Sequence, residues 1–183
     1  MRFPQSVMSL LTGVLITGLA TPSPGAAQDA PPEADPADVR SVDAIIHALY
    51  DVISGPAGER DWERMESLFM PGARLIPSRV NPEGRRVASV MTVAEYIEGA
   101  RRFFADSPFF ENEIGRTTEA FGSNIHAFSA YQSKRAPDQE PFSRGINSIQ
   151  LMDDGERLWI ATVLWDSERQ GNPIPTKYLG EIR

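Results

Sequence analysis

The spacing of apolar residues changes half-way along the chain. Val39, Val42, Ile45, Ile46, Leu49, Val52 and Ile53 fall at helical spacing, which puts them on one face of a helix. Asp35 before Pro36 supplies an N-cap and a first-turn proline, and Ser54-Gly55-Pro56 ends the run. A shorter helix is predicted from about Asp61 to Phe69, with Trp62, Met65, Leu68 and Phe69 as its buried stripe and Met70-Pro71-Gly72 as its stop. Thr92 and Glu95 form a capping box that opens a third helix. Its stripe is Tyr96, Ile97, Ala100, Phe103 and Phe104, and Ser107-Pro108 closes it. Between the second and third helices, Ala73 to Pro77 and Val87 to Val90 read as short strands.

From Phe110 onward the period is two. Four strands are predicted, over residues 110–121, 125–135, 142–152 and 157–168. Gly115 is a candidate bulge or kink. Gly122-Ser123-Asn124 and Asp153-Asp154-Gly155 are turn signals, and residues 136–141 form a surface loop. Asn172 to Pro175 reads as an extended tail that packs over an edge. Three helices followed by a long, curled antiparallel meander predict an α+β cone: helices on the concave face of a bent sheet, with a cavity between them.

The N-terminus reads differently. Arg2 precedes an apolar run from Val7 to Ala20, too short to span a bilayer comfortably. Pro22, Pro24 and Gly25 break it, and Gly25-Ala26-Ala27 offers a small-residue cleavage site. The expectation is a signal peptide over 1–27, a flexible Pro- and acid-rich leader over 28–38, and a single domain over 39–183. Such a chain is exported, to a bacterial periplasm or exterior, with no membrane span after cleavage. It has no Cys, so there is no disulfide framework and its stability comes from packing. The formal net charge of −7 and the lack of a basic stripe argue against a nucleic-acid partner.

Motifs exclude more chemistry than they suggest. With two His and no Cys, there is no zinc motif and no other metal-ligand cluster. There is no Walker A loop, dinucleotide fingerprint or nucleophile elbow. No cofactor is expected. Among single residues, His126 is the sharpest candidate. It shares a strand face with Phe128, Ala130 and Gln132, and on a concave face its imidazole could act as acid or base; otherwise it is a structural histidine. Tyr50 could donate to a ligand carbonyl or reach solvent, and Asn147 could donate and accept inside a pocket. Trp159 and Trp165, six apart on one strand, share a face, as core or pocket wall. Asp166 and Glu168 read as exposed strand-end charges, and Arg144 as solvated or at a pocket rim.

Three stretches carry a family resemblance: DWERMESLFMPGARLIP, FGSNIHAFSAYQSKR and RGINSIQLMDDGERLWIATVLWDSE. With the order of elements over about residues 39–168, they resemble the nuclear transport factor 2-like superfamily, and within it the SnoaL-like proteins. The resemblance implies a cone-shaped, cystatin-like roll whose sheet is strongly curved, mixed and mainly antiparallel. It also implies homodimers. In isomerases of the superfamily a helix Tyr and a strand Asp hold an oxyanion while a second Asp moves the proton. Carried over, Tyr50 matches the Tyr, Asn147 stands at the strand Asp, Trp165 matches a pocket aromatic, and Pro77 stands where the base would be. A proline cannot accept a proton.

The leading expectation is therefore a non-catalytic protein that binds a small, mostly apolar molecule through Tyr50, His126, Phe128, Gln132, Asn147 and Trp165. The alternatives are a cofactor-independent isomerase, dehydratase or cyclase using His126 with Tyr50 and Asn147, and a structural dimerisation module with a filled cone.

Overall fold

The computed structural model describes residues 30–180. The expected signal peptide lies outside the described residues. Of the expected leader, Ala34 is buried and residues from Pro36 are helical.

The first predicted helix is two. Helix α1 (Pro36–Val39) is capped by Asp35, whose side chain accepts from the Ala37 amide. The chain breaks at Arg40 because Ser41 competes as a new cap: its hydroxyl accepts from the Ala44 amide and starts α2 (Val42–Ile53). Helix α3 (Trp62–Ser67) is capped by Asp61. The predicted capping box of Thr92 and Glu95 is formed at the start of α4 (Val93–Asp106).

Six strands make one sheet: β1 (Phe69–Val80), β2 (Arg86–Ala88), β3 (Phe110–Phe121), β4 (Asn124–Lys134), β5 (Ser143–Asp153) and β6 (Leu158–Ser167). Their order is β2-β1-β6-β5-β4-β3. Strands β3 to β6 are the expected meander. Strand β1 runs parallel to β6, so the sheet is mixed. It begins at Phe69, earlier than its sequence suggests, because an irregular register between Phe69 and Arg74 absorbs Pro71 and Gly72.

Two further bulges matter more. In β3, Glu113 pairs Tyr131 and Gly115 pairs Ala130, leaving Ile114 as the extra residue. In β6, Thr162 pairs Gln150 and Ile160 pairs Leu151, leaving Ala161 extra. Each bulge swaps which residues point inward beyond it.

The core fills the space between the helices and the concave face. Ile45, Ile46, Leu49 and Ile53 of α2 join Ile149, Leu151, Ile160 and Val163 of the sheet. The outer face is partly covered by the chain's last described residues. Ile174 is buried there, Tyr178 lies against Phe128 at 5.1 Å, and the Gly180 amide donates to the Ile114 carbonyl at 3.1 Å. Gly115 permits this approach: a Cβ there would stand 2.4 Å from the Tyr178 carbonyl oxygen.

Candidate functional site

The register decides which side chains enter the cone. Residues directly opposite on paired strands share a face. Ser129 pairs Asn147, and Asn147 pairs Trp165, so all three point inward, together with Tyr131 and Ser133. On β3, Glu111 and Glu113 point inward with them, and the bulge at Ile114 brings Arg116 to the same side.

Two kinds of surroundings result. On the α2–β3 side the polar groups bond one another. The Asn147 amide donates to the Tyr50 oxygen at 3.0 Å, and Tyr50 and Ser129 hydroxyls are 2.8 Å apart. Ser129 gives its single proton to the Glu113 carboxylate, so the Tyr50 proton goes to Ser129. Glu113 in turn lies 3.6 Å from Arg116, which also meets Asp43. The Arg116 side chain is 2% exposed, and its Nε and Nη1 have no hydrogen-bond partner among the described residues. Burial pushes the Glu113 carboxyl up, against the opposing pull of Ser129 and Arg116. Burial, reinforced by the nearby Glu111, raises the Tyr50 phenol far above its ordinary value. Tyr50 is thus a neutral group whose proton is already committed.

On the α4–β1–β6 side there is a cavity of about 360 Å³. Leu49, Met65, Leu75, Ala100, Val163 and Trp165 are among its walls, as are Phe103, Phe104 and Phe109. Tyr96 meets Trp165 edge-on at 6.3 Å, and its hydroxyl makes no hydrogen bond among the described residues. Asn147 and Glu111 reach the same space. Ser133 donates to one Glu111 oxygen at 2.6 Å. Burial pushes the Glu111 carboxyl up to about 7, with the Ser133 bond pulling the other way.

The fold is similar to that of a protein of unknown function with a cystatin-like fold from Nostoc punctiforme. The TM-score is 0.54 at 8% identity, over 69% of this chain and 88% of that one. The chain has the cystatin-like fold. An NTF-2-like protein of unknown function from Silicibacter pomeroyi aligns with a TM-score of 0.48 at 11% identity, over 70% of this chain and 94% of that one. An NTF2-like protein of unknown function from Shewanella baltica aligns at 0.42 and 10% identity, over 70% and 98%. No protein-family model matches the chain, and no curated protein matches its sequence.

Within this cystatin-like cone, three of the six expected ligand-binding residues meet: Tyr50, Asn147 and Trp165. The other three do not. His126, Phe128 and Gln132 lie on the outer face, because Ser129 is the residue that faces Asn147 and its even-numbered neighbours must point away. His126 bonds Ser148 at 3.0 Å and packs edge-on against Phe128. It cannot join Tyr50 and Asn147 on one ligand atom, so the mechanism built on those three residues is discarded. The two tryptophans part company as well. The bulge at Ala161 leaves Trp165 inside, while Trp159 lies outside, under the Arg157 guanidinium and bonded to Asp154. Pro77 sits beside Trp165 in the parallel pair.

Glu111 and Glu113 were not picked out from the sequence. Both stand in the segment FENEIGR, where they alternate with Phe110, Asn112 and Ile114. That alternation is the usual mark of carboxylates facing solvent. The signal that they face inward lies in their hydrogen-bond partners on β4, Ser133 for Glu111 and Ser129 for Glu113.

Proposed function

We propose that the cone binds a small, mostly apolar molecule in the cavity beneath α4. The observation that carries this is the cavity itself: about 360 Å³, within the roughly 300–1,000 Å³ of small-molecule sites. It is walled by aliphatic and aromatic side chains and has a few polar groups with bonds to spare. A purely structural module predicts a filled cone, and the cavity argues against that. The signal-like N-terminus supports binding outside the cytoplasm.

The test is a calorimetric titration of the purified protein with 4-phenylbutanol, a neutral apolar probe. Gly99 lines the cavity, and a Cβ added there would meet nothing within 4 Å. Gly99→Leu should therefore occupy the space without disturbing the fold. Saturable binding that the variant abolishes supports the reading. Absence of binding, or binding that Gly99→Leu leaves unchanged, rejects it.

A further inference from the structure

The cavity wall carries charge of one sign. Glu95 and Glu111 line it, and no Lys, Arg or His among the described residues does. Glu95 is exposed at the helix start and held by Thr92. Glu111 is deep, and its surroundings are aromatic: Tyr96, Phe103, Phe104, Phe109 and Trp165 line the same space.

A carboxylate is costly in such surroundings unless it gains a partner. Ser133 serves one oxygen; the other makes no hydrogen bond among the described residues. Arg116, the buried cation on the same strand, faces Asp43 and Glu113. The cavity therefore offers three acceptors with capacity left: the second Glu111 oxygen, the Tyr96 hydroxyl and the Asn147 carbonyl oxygen. Three acceptors match the three N–H groups of an ammonium. Aromatic faces attract cations, and an anion would be repelled by Glu111 and find no basic group.

We infer that the ligand is a hydrophobic amine, its ammonium head at Glu111 and its apolar body against Trp165 and the α4 side of the cavity. The inference rests on the ligand-binding reading above. It assigns Glu111 as the residue that sets ligand charge.

The groups facing Glu111 give the pH dependence its sign. Tyr50 of α2, Tyr96 of α4 and Tyr131 of β4 are phenols raised by burial and stay neutral near pH 7. Glu113 is its acidic neighbour on β3, and Glu95 stands at the cavity rim. On the side of the α2–β3 groove, which Glu111 also borders, lie His47, Asp51, Asp43, Asp38, Arg40 and Arg116. Without ligand the Glu111 carboxyl is half-protonated near pH 7. An aliphatic amine stays charged far above that. Amine binding should therefore strengthen from pH 6 to pH 8 and release a proton as the carboxyl ionises.

The experiment compares 4-phenylbutylamine, 4-phenylbutanol and 4-phenylbutyrate on the purified full chain at both pH values. At pH 8 the amine should bind at least roughly tenfold tighter than the alcohol, in line with a charge-assisted hydrogen bond. The carboxylate should bind weakest, and the amine's advantage should shrink severalfold at pH 6. Glu111→Gln should remove the amine's advantage, so that amine and alcohol bind the variant within about threefold of each other. The wild-type comparison of the three probes does not depend on the variant folding. Equal binding of amine and alcohol, or tightest binding of the carboxylate, overturns the inference and leaves ligand binding intact. If none of the three saturates, both readings fall.

Discussion

The two sides of the cone interior solve the problem of buried polar groups in opposite ways. Beside α2, the groups from Asn147 through Tyr50 and Ser129 to Glu113 bond one another, and the chain ends at the ion pair of Glu113 with Arg116. Beneath α4, Glu111, Tyr96 and the Asn147 carbonyl face a space that protein atoms do not fill. Both sides use a glutamate of β3 and a helix tyrosine, and they share Asn147. The difference is whether a partner side chain is present, and it separates polar groups bonded within the fold from polar groups that face open space.

The largest expected effect falls on the closed side. Arg116→Ala leaves Glu113 without its cation and should cost about 3 kcal/mol in urea unfolding, as for other broken buried pairs. Adding Glu113→Gln to Arg116→Met should recover most of it. Failure to recover would mean that the loss does not come from leaving the Glu113 charge uncompensated.

Next comes the open side, with the opposite sign. The Glu111 pKa is raised above its unfolded value. The folded state therefore holds a proton that the unfolded state has lost between about pH 4.5 and 7, and stability from this group falls as pH rises through that window. Glu111→Gln should stabilise the fold by on the order of 2 kcal/mol at pH 8 and by little at pH 5. Thermal unfolding at the two pH values checks this, and equal effects at both would refute it.

Tyr50→Phe removes the centre of the bonded chain and should cost about 1–2 kcal/mol, because the Asn147 amide and Ser129 each lose a partner. The smallest effect is expected at His126. It lies outside the cone, so His126→Ala should stay within about 1 kcal/mol of wild type and leave 4-phenylbutanol binding unchanged. A loss of binding there would contradict the register described above.

Much of the fold was legible because it depends on local patterns. The helix stripes, the capping box at Thr92 and the switch to period two all required only neighbouring residues. Strand β3 was read with the boundaries it has. The inward face of β4 was not legible, because facing is set by pairing with β5, and a one-residue shift inverts every side chain. Tyr50 and Asn147 lie far apart in sequence, and only the register shows that they bond each other rather than a shared ligand. The Ala161 bulge separates Trp159 from Trp165 in a segment with no glycine to mark it. Gly115 did mark the other bulge. Glu111 was hidden by its own charge, since an acidic residue in an alternating strand ordinarily faces water.

The parallel pairing of β1 with β6 also has a temporal consequence. Leu75 and Val163 face each other across that pair and both line the cavity, yet they are joined by nearly the whole remainder of the domain. The meander β3–β4–β5–β6 can zip through short turns, whereas β1 must wait for the last strand and close a long loop. The cavity is therefore expected among the last parts of the molecule to form during folding. A chain cut short before Leu158 would lack the strand that joins β1 to the meander, and with it the Val163 and Trp165 wall of the cavity.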